Sequence, residues 1–153
     1  MGFWHFLFVR AALLYLIYNA LLGTLFYLFP PMVGPFRSSH VHAGLVGFFL
    51  QMVMGVAYWI TGEARTLLMP RPGGLRQDRL EGLTFVLLNA GLLLRLVLEP
   101  LHLLGQEGLR PWLAVSGGLQ LLATLVFAFA MHRRVVTGDM LRKMREERER
   151  RGG

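Results

Sequence analysis

The sequence predicts an all-α integral membrane four-helix bundle with both termini cytoplasmic, and three observations predict it. The chain of 153 residues is 54% hydrophobic yet carries 16 Lys+Arg. Those charges are expelled into short segments. None lies between Arg10 and Arg37, between Arg37 and Glu63, or between Arg110 and Arg133. Each gap holds the roughly 20 apolar residues that a helix needs to cross a hydrocarbon layer. A fourth apolar stretch, Gly82 to Leu104, contains only Arg95 and Glu99.

The first span is expected over residues 3–29 and stops at Pro30-Pro31, because proline cannot continue a helix interior. It is longer than a signal peptide and has no small-residue cleavage site, so it reads as a retained helix. Gly34 and Pro35 are expected to keep residues 30–39 in a loop, with Ser38 or Ser39 capping the second span at residues 40–60. Pro70, Pro72, Gly73 and Gly74 make residues 63–80 an irregular inner loop. The third span is expected over 81–104 and the fourth over 111–132, opened by Pro111 in the first turn. These spans form one domain, residues 1–134. Residues 135–153 form a basic cytoplasmic tail whose Asp139/Lys143, Glu146/Arg150 and Glu147/Arg151 spacings suit a solvated helix. Trp4, Tyr27, Trp59 and Trp112 fall near span ends, where aromatic belts form.

Orientation follows from the basic residues. Arg65, Arg71, Arg76 and Arg79 occupy the central loop, and Arg133, Arg134, Arg142, Lys143, Arg145, Arg148, Arg150 and Arg151 crowd the tail. The other two loops hold only Arg37 and Arg110. Cytoplasmic loops attract Lys and Arg. The net charge of +7 is therefore an orientation signal, aided by membrane lipids with anionic head groups, rather than a nucleic-acid footprint. Cysteine is absent, which excludes disulfides and thiolate metal sites.

Polar groups kept inside apolar spans are costly and mark candidate sites. They are Asn19, His40, His42, Gln51, Asn89, Arg95, Glu99, His102 and Gln120, with His5 and His132 at the inner ends. His40, His42 and His102 share the outer level. His40 and His42 are two residues apart, so they project about 200° from each other around a regular helix and cannot chelate one ion. Below His40 lie Gly44, Gly47 and Gln51, a stripe that admits a flat macrocycle or simply a neighbouring helix. Arg95, Glu99 and His102 share one face of the third span, Arg95 about 10 Å below His102. Arg95 and Glu99 either neutralise each other or leave Arg95, like Arg37, to bind a carboxylate. Pro100 frees the carbonyl of Leu96 and bends the helix. Asn19, Gln51 and Gln120 read as interhelical hydrogen bonds, and the scattered methionines as core filling.

The run His40-Val41-His42-Ala43-Gly44-Leu45-Val46-Gly47-Phe48-Phe49, continuing to Gly55-Val56-Ala57-Tyr58-Trp59, resembles one helix of subunit I of the haem–copper oxidases and nitric oxide reductases, most closely the tenth helix of the C-type oxidases. In that family a His-x-His pair opens the helix at the outer side, one histidine ligating the high-spin haem and the other the low-spin haem. By this resemblance His40 matches the first and His42 the second. The resemblance covers about 25 residues; the family's catalytic subunit is far longer, and its copper-binding histidine cluster has no counterpart here. The chain looks like a small four-helix relative that accompanies respiratory or denitrification enzymes.

The resemblance implies a b-type haem in a bacterial or archaeal inner membrane, serving electron transfer or binding of O2 or NO. Iron is expected on His40 or His42, with His102 as opposite axial ligand and Arg37 or Arg95 holding propionates. The diverging histidines imply a homodimer or a place as subunit of a respiratory complex. Two other readings stand beside it: a cofactor-free accessory subunit, and copper binding through His40, His42 and His102.

Overall fold

A computed structural model describes residues 3–68, 74–132, 146–147 and 149–150. Every element among them is helical. Helix α1 covers Phe3–Leu28, and a 3-10 turn at Pro30–Met32 leads into α2 (Val33–His42). A π-helical segment, Ala43–Leu50, joins α2 to α3 (Gln51–Leu68) without a break. Helix α4 covers Gly74–Leu103, and α5 covers Arg110–His132 after a 3-10 turn at Glu107–Leu109. Among the described residues, four helical stretches are long and apolar enough to cross a membrane: Phe3–Leu28, Pro30–Gly62, Arg79–Leu103 and Glu107–His132.

The span count stands as expected, but two loops are shorter than expected. Residues 33–39 are helical, not a loop. Pro35 is the third residue of α2, within the first turn, where N–H groups have no intrahelical acceptor to lose. Neither serine caps the second span: α2 follows Met32, with no side-chain cap. The inner segment is also largely helical, since α3 runs on to Leu68 and α4 starts at Gly74. Good helix formers such as Glu63, Ala64, Leu67, Leu75 and Gln77 prolong both helices past the apolar zone. Pro70, Pro72 and Gly73 fall outside the described residues. So do Asp139, Lys143 and most of the tail, of which Glu146, Glu147, Glu149 and Arg150 are helical.

The four spans pack as two antiparallel pairs. Helix α1 lies along the π segment and α3, while α5 lies along α4. Helix α2 joins the pairs at the end that carries His40, His42 and His102, the histidine end. At the opposite, tail end the core is a cluster of Phe8, Met54, Tyr58, Leu88, Ala123 and Ala130, with Phe85 and Phe127 against it. Phe8 meets Phe85 edge-on at 5.2 Å and Tyr58 meets Phe127 edge-on at 5.3 Å.

Backbone approach sets the helix spacing. A Cβ on Gly47 would stand 2.6 Å from Tyr15 Cγ, one on Gly55 2.8 Å from Phe8 Cβ, and one on Gly91 2.8 Å from Ser116 O. Large apolar side chains such as Leu14, Ile17, Leu121, Leu125 and Phe129 cover the exterior. That outward-facing hydrophobicity is what a lipid environment favours and water does not.

Pro100 lies inside α4, which continues to Leu103. Proline has no N–H for Leu96 O. The Ser39 hydroxyl of α2 takes its place, donating to Leu96 O at 3.4 Å. Gly105 then ends the helical run with φ +108°, and Gln106 N donates back to Leu101 O at 3.2 Å, the six-to-one bond typical of a glycine C-cap.

Candidate functional site

The two histidines of the His-Val-His run face different helices. The His40 ring lies against α1, edge-on to Phe26 at 5.4 Å, with its Cε1 3.3 Å from where a Gly23 Cβ would stand. The glycine stripe beneath it is filled by α1 as well: Asn19 sits over Gly44 and Tyr15 over Gly47. Of the two uses open to that stripe, the structure has the neighbouring helix. Each i→i+5 turn of the π segment takes one residue more than an α-turn, so Gln51 is rotated off the stripe and reaches α4.

His42 turns to the other side, towards α4. Its Nδ1 is 2.9 Å from Ser38 O and 3.3 Å from the Ser38 hydroxyl. A carbonyl only accepts, so Nδ1 carries the hydrogen and Nε2 keeps the free lone pair. Glu99 Oε2 lies 3.6 Å from His42 Nδ1 and 3.4 Å from Arg95 Nε. Glu99 is thus flanked by a cation and an imidazole, while Arg95 passes along α5 with Nη1 3.7 Å from where a Gly117 Cβ would stand. The three side chains are 16–25% exposed, a half-buried group at the α2–α4 contact. His102 is three residues beyond Glu99 on α4. Its Nδ1 bonds the Gln106 carbonyl at 3.1 Å, which fixes the same tautomer as in His42 and leaves Nε2 free. Arg37 is exposed on α2.

His40, His42 and His102 therefore do not converge. Among the described residues no three His, Cys, Asp or Glu side chains gather as a metal ion would require. Imidazole with Nδ1–H on a carbonyl is the donor state a metal takes, and His42 and His102 fit it singly. The His40 face does not fit a macrocycle, since α1 already occupies it.

A second polar group lies at mid-depth. Asn89 Nδ2 donates to Phe85 O at 2.9 Å, which turns Oδ1 outward as an acceptor. Tyr15 OH donates to that oxygen at 3.2 Å and Gln51 Nε2 at 3.4 Å. Three helices are joined at one amide. Sequence reasoning found Asn89 and Gln51 but missed Tyr15; its place four residues before Asn19 on the same face of α1 was the available signal. It gave Ser38 and Ser39 a capping role and missed their bonds to His42 and to Leu96 O. Gln120 corrects an expectation: its Nε2 reaches Ser116 Oγ within its own helix at 3.4 Å, and Ser116 makes the interhelical bond, to Gly91 O at 2.8 Å. His5 is half-buried at the tail end and His132 exposed.

Comparison with protein-family models, curated proteins and solved structures returns no match for this chain.

Proposed function

We propose that this chain is a multi-pass membrane protein that binds b-type haem through His42. It inserts with both termini on the cytoplasmic side, so the histidine end faces outward, an orientation that the placing of basic residues supports. The observation that carries the haem reading is the hydrogen bond from His42 Nδ1 to Ser38 O at 2.9 Å. It commits the ring to the tautomer whose Nε2 is a ligand.

His102, held in the same tautomer, is the other residue that would hold the iron, from the same protomer or from a second copy. Arg95 and the exposed Arg37 are the cations for propionates, with Glu99 balancing Arg95. A bound haem supplies one-electron redox chemistry and a binding position for O2 or NO. Such a protein works beside a respiratory or denitrification complex in a bacterial or archaeal inner membrane. The test is optical. Protein produced with ample haem and purified in detergent shows a Soret band that sharpens and shifts on reduction with dithionite; a colourless preparation overturns the proposal.

A second reading has its own support. Arg95 and Glu99 neutralise each other, and α1 fills the glycine stripe under His40, as in a cofactor-free accessory subunit. Recovery with a larger oxidase and without haem of its own distinguishes it. Copper binding through His40, His42 and His102 gains nothing from the geometry, because those rings point to α1, to α4 and to the turn after α4.

A further inference from the structure

Three buried polar atoms without a protein partner follow the seam that the inner face of α1 makes with its neighbours: His40 beside Gly23, Asn19 over Gly44, and Gln51 joined with Tyr15 at the Asn89 oxygen. At the histidine end His40 Nδ1 is buried and unpaired; below it, Asn19 Oδ1; at mid-depth, Gln51 Oε1. The orientation of Gln51 is not arbitrary. Asn89 gives its amide N–H to Phe85 O, so its oxygen must accept from Gln51 Nε2, and Gln51 Oε1 is left as an acceptor with no donor. Gln51 is fully buried. Turning the Asn19 amide would only exchange which of its polar atoms is unpaired. A buried acceptor left without a donor costs about 1–3 kcal/mol, and in folded proteins such groups are met by internal water.

The backbone beside this seam is the π segment, Ala43–Leu50, whose two glycines abut Asn19 and Tyr15. Runs of π geometry are rare and concentrate at functional positions. Beyond Gln51 towards the tail end the seam closes on Phe8, Met54 and Leu88, all fully buried and apolar.

We propose that water enters the bundle from the histidine end, along the inner face of α1 beside the π segment, and passes Tyr15 to reach Gln51 at mid-depth, where α1 meets α4. The ligand of this inlet is water hydrogen-bonded in turn to His40, Asn19 and Gln51, and the layer of Met54 and Leu88 is its floor. The inlet does not depend on haem.

Because the chain contains no cysteine, single thiols report accessibility without background. Asn19→Cys, Gln51→Cys, Met54→Cys and Leu88→Cys are each made in the full chain, reconstituted in lipid nanodiscs and treated with a small charged thiosulfonate. Only a hydrated thiol ionises and reacts, and each unit by which burial raises its pKa costs about tenfold in thiolate. Asn19→Cys and Gln51→Cys are expected to react at least about tenfold faster than Met54→Cys and Leu88→Cys. Circular dichroism melting establishes that each variant is folded. Asn19→Cys keeps the test readable if Gln51→Cys is not, since the Asn19 oxygen has no protein partner to lose. Equal, slow reaction at all four positions overturns the proposal. So does labelling at Asn19→Cys with a folded Gln51→Cys inert, because the inlet would then stop short of mid-depth.

Discussion

The two flanks of the second span carry the same residue type two positions apart and put it to different uses. On the His40 flank the imidazole is packed: Phe26, Gly23 and the α1 side chains beneath leave no room for a flat ligand. On the His42 flank the imidazole is oriented, with its Nδ1 fixed by Ser38 and a carboxylate and guanidinium beside it. The angular spacing of a helix separates the two rings, and the neighbouring helix decides what each becomes. Glycines under a histidine are thus no pointer to a cofactor by themselves. A backbone carbonyl four residues before one is the more informative neighbour, because it fixes a hydrogen on Nδ1 and orients the ring.

Five substitutions sharpen that contrast, two of them combined in one double variant, the largest effect first. Gly47→Leu drives a side chain into Tyr15, whose Cγ already lies 2.6 Å from the position of a Cβ. It is expected to destabilise the fold by at least about 1–3 kcal/mol, read as a lowered midpoint in thermal or detergent unfolding. On the other flank, Arg95→Leu leaves Glu99 without its cation and is expected to cost about 1–3 kcal/mol. Arg95→Leu combined with Glu99→Leu is expected to recover most of that loss, since removing both charges leaves none unpaired. If the double variant is no better than the single one, the pair is not what holds Glu99 there. Asn89→Leu removes the acceptor shared by Tyr15 and Gln51 and is expected to cost about 1–2 kcal/mol. The smallest effect belongs to Gly34→Ala, where a Cβ meets nothing within 4 Å. Its expected change is about 0.5 kcal/mol or less, stabilising in sign because alanine is the better helix former.

The number and identity of the four long apolar helices were legible in the sequence, because expelled charges and apolar length are local properties. Their ends were less so. Pro35 reads as a breaker until its place in a first turn is known, and the charged residues Glu63 and Arg65 mark the limit of an apolar zone without ending the helix. The π segment was not legible, since nothing in Ala43–Leu50 departs from an ordinary apolar helix. Its consequence, that Gln51 leaves the face of His40 and Gly44, was invisible too. Within the candidate site, the divergence of the histidines follows from spacing, and the i, i+4 spacing of Arg95 and Glu99 allowed their pairing as one of two readings. The Ser39–Leu96 bond was latent in Pro100, whose missing N–H frees a carbonyl that some donor must meet. Which donor was a question of how α2 meets α4, and that is a tertiary fact.

The central claim is that the two imidazoles differ in role, and paired absorption spectra test it most directly. His42→Ala and His40→Ala are produced with ample haem, purified alike and scanned oxidised and reduced. The account predicts that His42→Ala loses the Soret band while His40→Ala keeps it and melts at a lower temperature. Full haem content in His42→Ala, or its loss only in His40→Ala, would contradict it.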